Sequence, residues 1–221
     1  MSEISLSALP YLELPLGSGK YVYKRNGEAV AMEEVYEVAH REVTSRRTTP
    51  TGVTIEVLAT AVDIAVTFTS AEVRISVVQE ITDCIVSTRT VNGNTEASWV
   101  GPADALLVAS PLLRIFQGPA IKAVAARGDH GPGEEPAEIP VLLPWLSNPT
   151  DHARLLTAHV QYRRAFSDPL TESYQGAASY QYLGGSYEDS ARFWIDHNDV
   201  LQRYVWPQDP STTWDVYHHA N

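Results

Sequence analysis

Apolar and polar residues alternate along much of the chain with the period of two that marks a half-buried β-strand. Ala191–Trp206 (ARFWIDHNDVLQRYVW) holds two such runs joined by the polar turn Asp196–Asp199, and it is the clearest predicted hairpin. Neither of its predicted faces is purely polar, and aromatic residues stand on both. An antiparallel hairpin of this kind is typical of a sheet that is covered, curled or closed around something.

Further strands are predicted where β-branched and aromatic runs lie between turn residues. The dipeptide Asn26–Gly27 predicts a tight turn between Lys20–Tyr23 and the long run Glu28–Glu42. Helix-forming residues in that run leave a helix as the alternative, but its Val and Tyr content favours a strand. Other predicted strands are 53–58, 64–68, 73–81, 84–89 and 96–100, with a turn at Asn92–Asn94, and then 121–126, 155–166 and 178–183.

Other segments break the alternation. Residues 102–117 (PADALLVASPLLRIFQ) are apolar without alternation and carry a proline at each possible helix start, which predicts one or two short helices. Such an insertion either caps or plugs the barrel, or lies on its surface. Residues 127–138 predict a mobile acidic loop. The prolines of 139–146 predict an edge or crossing segment with Trp145 buried. Residues 1–18 and 207–221 are proline-containing arms that pack along the body.

The sum is nine to twelve short strands in a meander with one helical interruption. At 221 residues the chain is long enough for one sizeable core. We therefore predict an all-β fold with one domain, residues 1–221, forming a single antiparallel β-barrel or half-barrel with a short helical insertion around 102–117.

Charge and cysteine content narrow the function classes. A net charge of −11 and a pI near 5.0 argue against nucleic-acid or anionic-membrane partners, because both need a basic surface. No apolar run is long enough for a membrane-spanning helix, so no membrane insertion is expected. The single cysteine, Cys84, and an N-terminus unlike a signal peptide indicate a cytoplasmic location. Few lysines beside many Ala, Val and Arg residues are common in proteins of GC-rich bacteria.

Motifs that carry standard chemistry are absent. There is no Gly-rich phosphate loop, no paired C-x-x-C and no H-E-x-x-H, so we expect no nucleotide cofactor and no metal. The adjacent histidines His218–His219 would point to opposite faces of a strand and, in a terminal segment, are expected to be solvated, so a metal role is disfavoured for them. Cys84 is interpreted as a small buried residue. The acids weighed for acid–base roles are interpreted as solvated, or as bonded to their own turn backbone: Glu33, Glu34, Glu37, Asp196 and Asp199.

The aromatic residues of the C-terminal strands suggest a binding wall. Tyr and Trp combine a large apolar surface with one hydrogen-bonding tip, which suits a pocket for an apolar ligand with a few oxygens. Arg164, on the predicted face of Tyr162, is placed to meet an acidic head group. The alternative is that these aromatics only pack a core or cover the outer sheet. The predicted ligand-binding residues are Tyr162, Arg164, Tyr180, Tyr182, Trp194, Tyr204 and Trp206; no catalytic residue is predicted.

The hairpin ARFWIDHNDVLQRYVW, preceded by ASYQYL, resembles the C-terminal end of the bacterial glycolipid-binding family and related lipoprotein-carrier-like half-barrels. KYVYKRNGEAV is similar to the opening hairpin of such proteins. The likeness covers about forty residues, and this chain departs from the family where His197–Asn198–Asp199–Val200 replaces a simpler Asp-Gly turn. The resemblance implies a concave sheet that binds lipid-like molecules, and it supplies no catalytic residue.

A second resemblance concerns architecture alone. A small, acidic, cofactor-free barrel is similar to the β-barrel cyclases of polyketide pathways, including Diels–Alderases, which fold a flexible substrate inside an apolar cavity. We expect the chain to enclose an elongated hydrophobic small molecule, as a cofactor-independent cyclase or isomerase acting on a polyketide-type intermediate. The alternatives are a non-catalytic lipid or glycolipid carrier, and a structural protein without a cavity. A homodimer is left open.

Overall fold

The computed structural model describes residues 9–101, 106–107, 113–128, 139–144, 155–160, 162–165, 178–182 and 191–221. These residues form sixteen strands, one α-helix and a short 3-10 helix at Pro10–Glu13. The helix α1 is Arg114–Gly128. The strands are β1 Gly17–Arg25, β2 Glu28–Ala39, β3 Glu42–Thr48, β4 Thr54–Thr60, β5 Asp63–Thr69, β6 Arg74–Ile81, β7 Ile85–Val91, β8 Asn94–Gly101, β9 Leu106–Leu107, β10 Ile139–Pro144, β11 Leu155–Val160, β12 Tyr162–Ala165, β13 Ala178–Tyr182, β14 Arg192–Ile195, β15 Leu201–Asp209 and β16 Thr212–Ala220.

Thirteen of these strands form one antiparallel sheet, in the order β12-β13-β14-β15-β16-β1-β2-β3-β4-β5-β6-β7-β8. Two meanders, β1–β8 and β12–β16, join where β1 pairs with β16. Among the described strands, β8 and β12 each have one neighbour, so the sheet is open. The predicted all-β fold with a single helix is confirmed. Of the two predicted forms, barrel or half-barrel, the described strands form the open one and not a closed barrel. A twisted sheet with this many strands curls instead of lying flat.

The strands predicted from alternation are largely confirmed. The run after Asn26–Gly27 is strand β2 and not a helix, and the hairpin of the C-terminal region is present as β14 and β15. The predicted strand at 155–166 is instead two strands, β11 and β12, which belong to different sheets. Residues 129–138 and Trp145, for which a loop and burial were predicted, lie outside the described residues.

The small second sheet corrects one prediction. Strand β10 pairs along its whole length with β11 and, at Val141 and Leu142, in parallel with β9. It is therefore the middle strand of three, and the prediction of an edge or crossing segment was wrong. The two-residue β9 faces only Val141 and Leu142, so Pro140 and Pro144 lie beyond it. Neither proline is opposite β9, where a missing N–H would break a ladder hydrogen bond.

The helix lies later in the chain than predicted. It starts at Arg114 and includes 121–126, which was wrongly predicted as a strand, while β9 lies inside the segment 102–117 predicted as helical. A short apolar run does not by itself distinguish strand from helix. Here alanines favour the helix, and Ile121 and Ala125, four residues apart, are both buried on one helix face.

The described parts of both predicted arms, 9–18 and 207–221, belong to the body of the protein. Within 207–221, Thr212–Ala220 form β16, a strand with neighbours on both sides, so the prediction of an arm was wrong. Pro207 falls at an irregularity of the β15–β16 register, where the lost N–H is tolerated. In 1–18, the first eight residues lie outside the described part, whereas Leu9, Tyr11 and Leu14 are buried in the core and β1 begins at Gly17.

One face of the large sheet carries the core, and we call it the inner face. The residues that α1 and the 3-10 helix add to this core include Ile115, Phe116, Ile121, Tyr11 and Leu14, so α1 is buried against the sheet rather than lying on the surface. The core residues from the inner face are Tyr21, Tyr23, Val38, Val43, Ile55, Val57, Ala59, Ile64, Val66, Ile75, Val77, Ile85, Tyr180, Phe193, Ile195, Leu201, Tyr204 and Val216.

A buried carboxylate, Glu34, fixes the start of α1 on the sheet. Its Oε1 accepts the backbone N–H groups of Arg114 at 2.7 Å and Ile115 at 3.2 Å, as well as the Ser45 hydroxyl at 3.1 Å. Its Oε2 accepts the Tyr23 hydroxyl at 2.9 Å. Burial raises the pKa of Glu34, against the lowering effect of these donors and of the Arg114 charge. The interpretation of Glu34 as a solvated acid was therefore wrong: it caps a helix that lies 80 residues further along the chain.

Removing this cap should destabilise the fold. We expect Glu34→Ala to lower the free energy of unfolding by about 3 kcal/mol or more, because it leaves several buried donors without an acceptor. Urea unfolding measures the change. Glu33→Ala is the matched control, since Glu33 forms a half-exposed ion pair with Lys20 and should cost less than about 1 kcal/mol. If Glu34→Ala does not fold, Glu34→Gln is measured instead. This variant keeps one acceptor oxygen and should lower the free energy of unfolding by a smaller amount. Equal stability of wild type and Glu34→Gln would contradict the role.

Two buried serines of the inner face give a second comparison. Ser45 donates to Glu34 and to the Val35 carbonyl, whereas Ser87 is fully buried and its hydroxyl finds no partner within the described chain. We expect Ser45→Ala to cost about 1–2 kcal/mol and Ser87→Ala to be neutral or stabilising, because only the first removes a hydrogen bond. Thermal or urea unfolding of both variants checks this. A larger loss at Ser87 than at Ser45 would contradict it.

Candidate functional site

A pocket of about 440 Å³ lies at one end of the inner face, within the size range of small-molecule sites. We call it the end pocket. The segment that leads into β1, the β14–β15 turn and the last residues of β16 surround it. Its apolar lining is Leu14, Pro15, Leu16, Val38, Ile115, Val200 and Ala220; the remaining lining residues are Gly17, Ser18, Tyr36, Asp196, Asn198, Gln202, His218 and Asn221. The pocket thus combines an apolar wall with a polar one.

The polar wall contains a tyrosine–histidine pair. The hydroxyl oxygen of Tyr36 on β2 lies 2.6 Å from Nε2 of His218 on β16. Strand β1 lies between them, and its Gly19 pairs with Tyr36 on one side and with Ala220 on the other. A Cβ at Gly19 would lie 2.6 Å from the Tyr36 hydroxyl and 2.8 Å from a backbone oxygen. The missing side chain is what lets Tyr36 reach across β1 to His218.

Burial keeps both members of this pair uncharged. The ring of Tyr21 lies 5.8 Å from that of Tyr36 and 5.2 Å from that of His218, measured between centroids. Desolvation raises the pKa of Tyr36 to about 12, and the nearby carboxylates of Asp196 and Glu34 add to the rise. Desolvation also lowers the pKa of His218, although Asp196 acts in the opposite sense. A neutral phenol and a neutral imidazole therefore share one hydrogen bond at pH 7.

Asp196 is held rigidly at the start of the β14–β15 turn. Its Oδ1 accepts the backbone N–H groups of Asn198 at 2.9 Å and Val200 at 3.0 Å, and its Oδ2 accepts Nε2 of Gln202 at 2.8 Å. The expectation that this aspartate bonds its own turn backbone is confirmed. Because two separate oxygens are engaged, the carboxylate has one fixed orientation in the pocket.

Helix α1 packs directly on this turn. Lys122 forms an ion pair with Asp199 and donates to the Asp196 carbonyl at 3.4 Å. Gly118 faces the Asp199 carbonyl so closely that a Cβ there would collide with it. Asp199 itself has a positive φ of 65°. The turn that carries Asp196 is thus positioned by α1, whose start is in turn fixed by Glu34.

The sheet register brings six of the seven sequence-predicted site residues onto one face. Tyr162 pairs with Tyr182, Arg164 with Tyr180, and Phe193 connects Tyr180 to Tyr204 across β14. The six that share this face are Tyr162, Arg164, Tyr180, Tyr182, Tyr204 and Trp206. Trp194 pairs with Arg203 and lies on the opposite face. Of the seven, Tyr180, Trp194, Tyr204 and Trp206 do not line the end pocket, and the part of all seven in ligand binding stays a prediction.

The described members of this wall pack tightly. The rings of Phe193 and Tyr204 stack at 4.7 Å, Trp206 continues the stack at 6.4 Å, and the Arg114 guanidinium lies 4.6 Å from the Tyr204 ring centroid. Tyr180 and Tyr204 are buried. These contacts place the centre of the wall against α1, so aromatic packing accounts for it without a ligand.

Trp194 has a different environment. It is 3% exposed, and the Arg203 guanidinium lies 5.3 Å from its ring centroid. Arg203 in turn forms a two-pronged ion pair with Asp215, at 3.0 and 2.8 Å, and Asp215 also accepts the Tyr217 hydroxyl. On this outer face, Trp194 is part of a packed cation–π and ion-pair cluster.

Sequence reasoning missed Tyr36 and Gln202 and expected His218 to be solvated. His218 is instead half-buried, while its neighbour His219 is exposed, so the expectation of opposite faces is confirmed. Cys84 is half-buried at the start of β7 rather than fully buried, with its Sγ 3.9 Å from the Thr82 hydroxyl. Glu33 and Glu37 are exposed, as expected. In the part of the chain that the structure describes, no three His, Cys, Asp or Glu side chains group as metal ligands.

No protein-family model matches the chain, and neither does any curated protein. Among the described residues, no helix has the length and apolar character that crossing a membrane requires. The site is therefore interpreted from its geometry alone.

The His218 pKa predicts a pH dependence of stability. Its pKa is lowered on folding, so below about pH 6.5 the unfolded state binds more protons and the free energy of unfolding falls as the pH falls. The stability contributed by neutral His218 is fully present above about pH 6.5, and it is lost as the pH falls through the lowered pKa of the folded state. We expect His218→Gln to reduce this dependence between pH 7.5 and 5.5, measured by urea unfolding, whereas His219→Gln, at an exposed position, should not. Identical pH profiles of wild type and His218→Gln would contradict it.

Proposed function

We propose that the chain binds an elongated, mainly apolar small molecule with its polar end in the end pocket, and that it acts on this molecule as a cofactor-independent isomerase or cyclase of a polyketide-type intermediate. The observation that carries the proposal is the Tyr36–His218 pair, with its 2.6 Å contact, in the wall of a 440 Å³ pocket. A cytoplasmic, bacterial setting is part of the proposal, and the presence of only one cysteine supports it.

The lining of the pocket supports a ligand with two different ends. Leu14, Ile115 and Val200, from three separate parts of the chain, line it with apolar side chains, and the other lining residues include hydroxyl, amide, imidazole and carboxylate groups. Small-molecule sites commonly combine a mostly apolar lining with a few placed polar groups that orient the ligand. An apolar chain that ends in one polar group matches this division.

The tyrosine–histidine pair supports proton transfer without a cofactor. When Nε2 of His218 carries the proton, it donates to the Tyr36 oxygen, and the Tyr36 hydroxyl donates to a ligand carbonyl. When Nε2 is unprotonated, it accepts the Tyr36 proton, and the tyrosine oxygen accepts a proton from the ligand. Both directions are those needed to form and quench an enol, the step common to double-bond isomerisation and many ring closures.

A non-catalytic carrier is the second candidate, and one observation favours it. The large sheet is open between β8 and β12 among the described strands, which is the arrangement expected of a half-barrel that takes up and releases a lipid-like molecule. In that case Tyr36 and His218 orient the ligand by hydrogen bonds and move no proton.

Ligand binding is tested first, with the neutral fluorescent probe N-phenyl-1-naphthylamine. We expect saturable binding to wild type and a loss of about tenfold or more in affinity for Ala220→Trp, because the new side chain fills the pocket. His219→Trp is the matched control: it is the adjacent exposed residue and does not line the pocket. Absence of binding to wild type, or equal affinities for the two variants, would overturn the end pocket as the ligand site.

Catalysis is tested with a long-chain β,γ-unsaturated ketone, whose conversion to the conjugated isomer is followed by absorbance, and with the methyl ester of a linear polyene-bearing polyketide acid, followed by chromatography. We expect turnover by wild type and a rate about 10²–10⁴-fold lower for Tyr36→Phe and His218→Gln. Probe binding by both variants should be retained. If both substrates react only at the uncatalysed rate while the probe binds, the catalytic function is overturned and the carrier function is supported.

A further inference from the structure

We propose that the end pocket selects a ligand whose polar end is a protonated amine, with the Asp196 carboxylate as its counter-ion. The inference rests on the proposed function, because it takes the end pocket as the ligand site and specifies the chemical class of the head group. It differs from the acidic head group that Arg164 suggested in the sequence, because the described lining of this pocket includes no Arg or Lys.

The charge of the lining is the first argument. Asp196 is the one residue with a carboxylate side chain among the described lining of the end pocket, and that lining includes no Lys or Arg. His218 is uncharged because burial lowers its pKa, and the other polar lining residues are alcohols, amides or a phenol. A carboxylate in a partly desolvated wall attracts a cation more strongly than it would in open water.

The geometry of Asp196 is the second argument. An ionised carboxylate offers roughly four lone-pair sites, and three are used by Asn198, Val200 and Gln202. One site on Oδ2 remains for a ligand donor. Because the three existing bonds already hold the carboxylate in place, a bound ammonium group costs little side-chain ordering.

The neighbouring charges leave the negative charge of Asp196 in place. Lys122 is the nearest cation on α1 with a described contact to this turn, and it is paired with Asp199. Its other contact is with the Asp196 backbone carbonyl and not with the carboxylate. The turn therefore carries one net negative charge, and that charge belongs to the residue that lines the pocket.

The features that would bind an anion near the pocket are already used. The N-terminus of α1 adjoins the pocket through Ile115, and helix N-termini favour anions. Here the N–H groups of Arg114 and Ile115 donate to Glu34, and the Arg114 guanidinium donates to Gln117 at 2.6 Å and stacks on Tyr204. A carboxylate or phosphate head would meet Asp196 without gaining these donors.

The experiment compares three ligands with the same chain and different heads: dodecylamine, dodecan-1-ol and dodecanoate, each below its micellar concentration. Their affinities are measured at pH 7 by displacement of N-phenyl-1-naphthylamine and by calorimetry. We expect the amine to bind about tenfold or more tightly than the alcohol, and the alcohol more tightly than the carboxylate. Rising salt should narrow the gap between amine and alcohol, because ion pairs are screened.

The variant Asp196→Asn keeps the size of the side chain and an oxygen for the turn while removing the charge. Its expected affinity for the amine falls to that of the alcohol, and its affinity for the alcohol changes much less than its affinity for the amine. Glu37→Gln is the matched control: it removes the same charge from an exposed residue next to Tyr36 that does not line the pocket, and it should leave the amine preference intact.

The outcomes separate this inference from the proposed function. Equal affinities for the three ligands, tighter binding of the carboxylate, or an amine preference that survives in Asp196→Asn would overturn the amine head while leaving the end pocket as a ligand site. Failure of the probe and of all three ligands to bind wild type would overturn the proposed function itself. If Asp196→Asn does not fold, the salt dependence of the wild-type affinities tests the inference instead. An affinity gap between amine and alcohol that stays the same as salt rises would show an uncharged contact and would overturn the amine head.

Discussion

The burial of one carboxylate, Glu34, is the constraint on which the rest of the structure depends. Removing a charged group from water is costly unless donors surround it, and here donors come from β1, from β3 and from the first two residues of α1. The carboxylate therefore fixes the helix against the sheet at one point. Ile115 then forms part of the pocket wall, and Gly118 and Lys122 set the turn that carries Asp196. The geometry of the end pocket follows from where this acid lies.

The parts of the fold that depend on local sequence patterns could be predicted from the sequence. Strand β2 is an example, because the Asn26–Gly27 turn and its Val and Tyr content favour a strand although several of its residues favour a helix. The parts that depend on distant partners could not be predicted. Alternation shows that 155–166 is extended, but not that it divides between two sheets, and it does not show that Thr212–Ala220 enters the middle of a sheet. Alternation also does not show that the two-residue strand β9 pairs with β10 between the two prolines of β10.

The candidate site shows the same limit more sharply. The aromatic residues of the C-terminal strands could be grouped from the sequence, and the sheet register places six of the seven predicted positions on one face. Trp194 is the exception: it follows Phe193 directly in the strand, so it lies on the face opposite to that of Tyr204. Tyr36 and His218 gave no signal at all, since their contact needs β1 between β2 and β16 and a glycine at position 19. In the sequence, Gly19 is only a residue without a side chain, and nothing there shows that it makes room for the contact between Tyr36 and His218.

The pairing of β1 with β16 has a further consequence, for the order in which the molecule is assembled. Each meander of the large sheet can form by short-range hairpins, but the seam between them joins residues near opposite ends of the chain, and such long-range pairing is slow. The Tyr36–His218 pair spans that seam, and its members are 182 positions apart in the sequence. During synthesis the N-terminal meander leaves the ribosome long before its partner strand exists. The Tyr36–His218 pair is thus completed only when the last described strand docks, so that a half-made chain carries a sheet but not the candidate site.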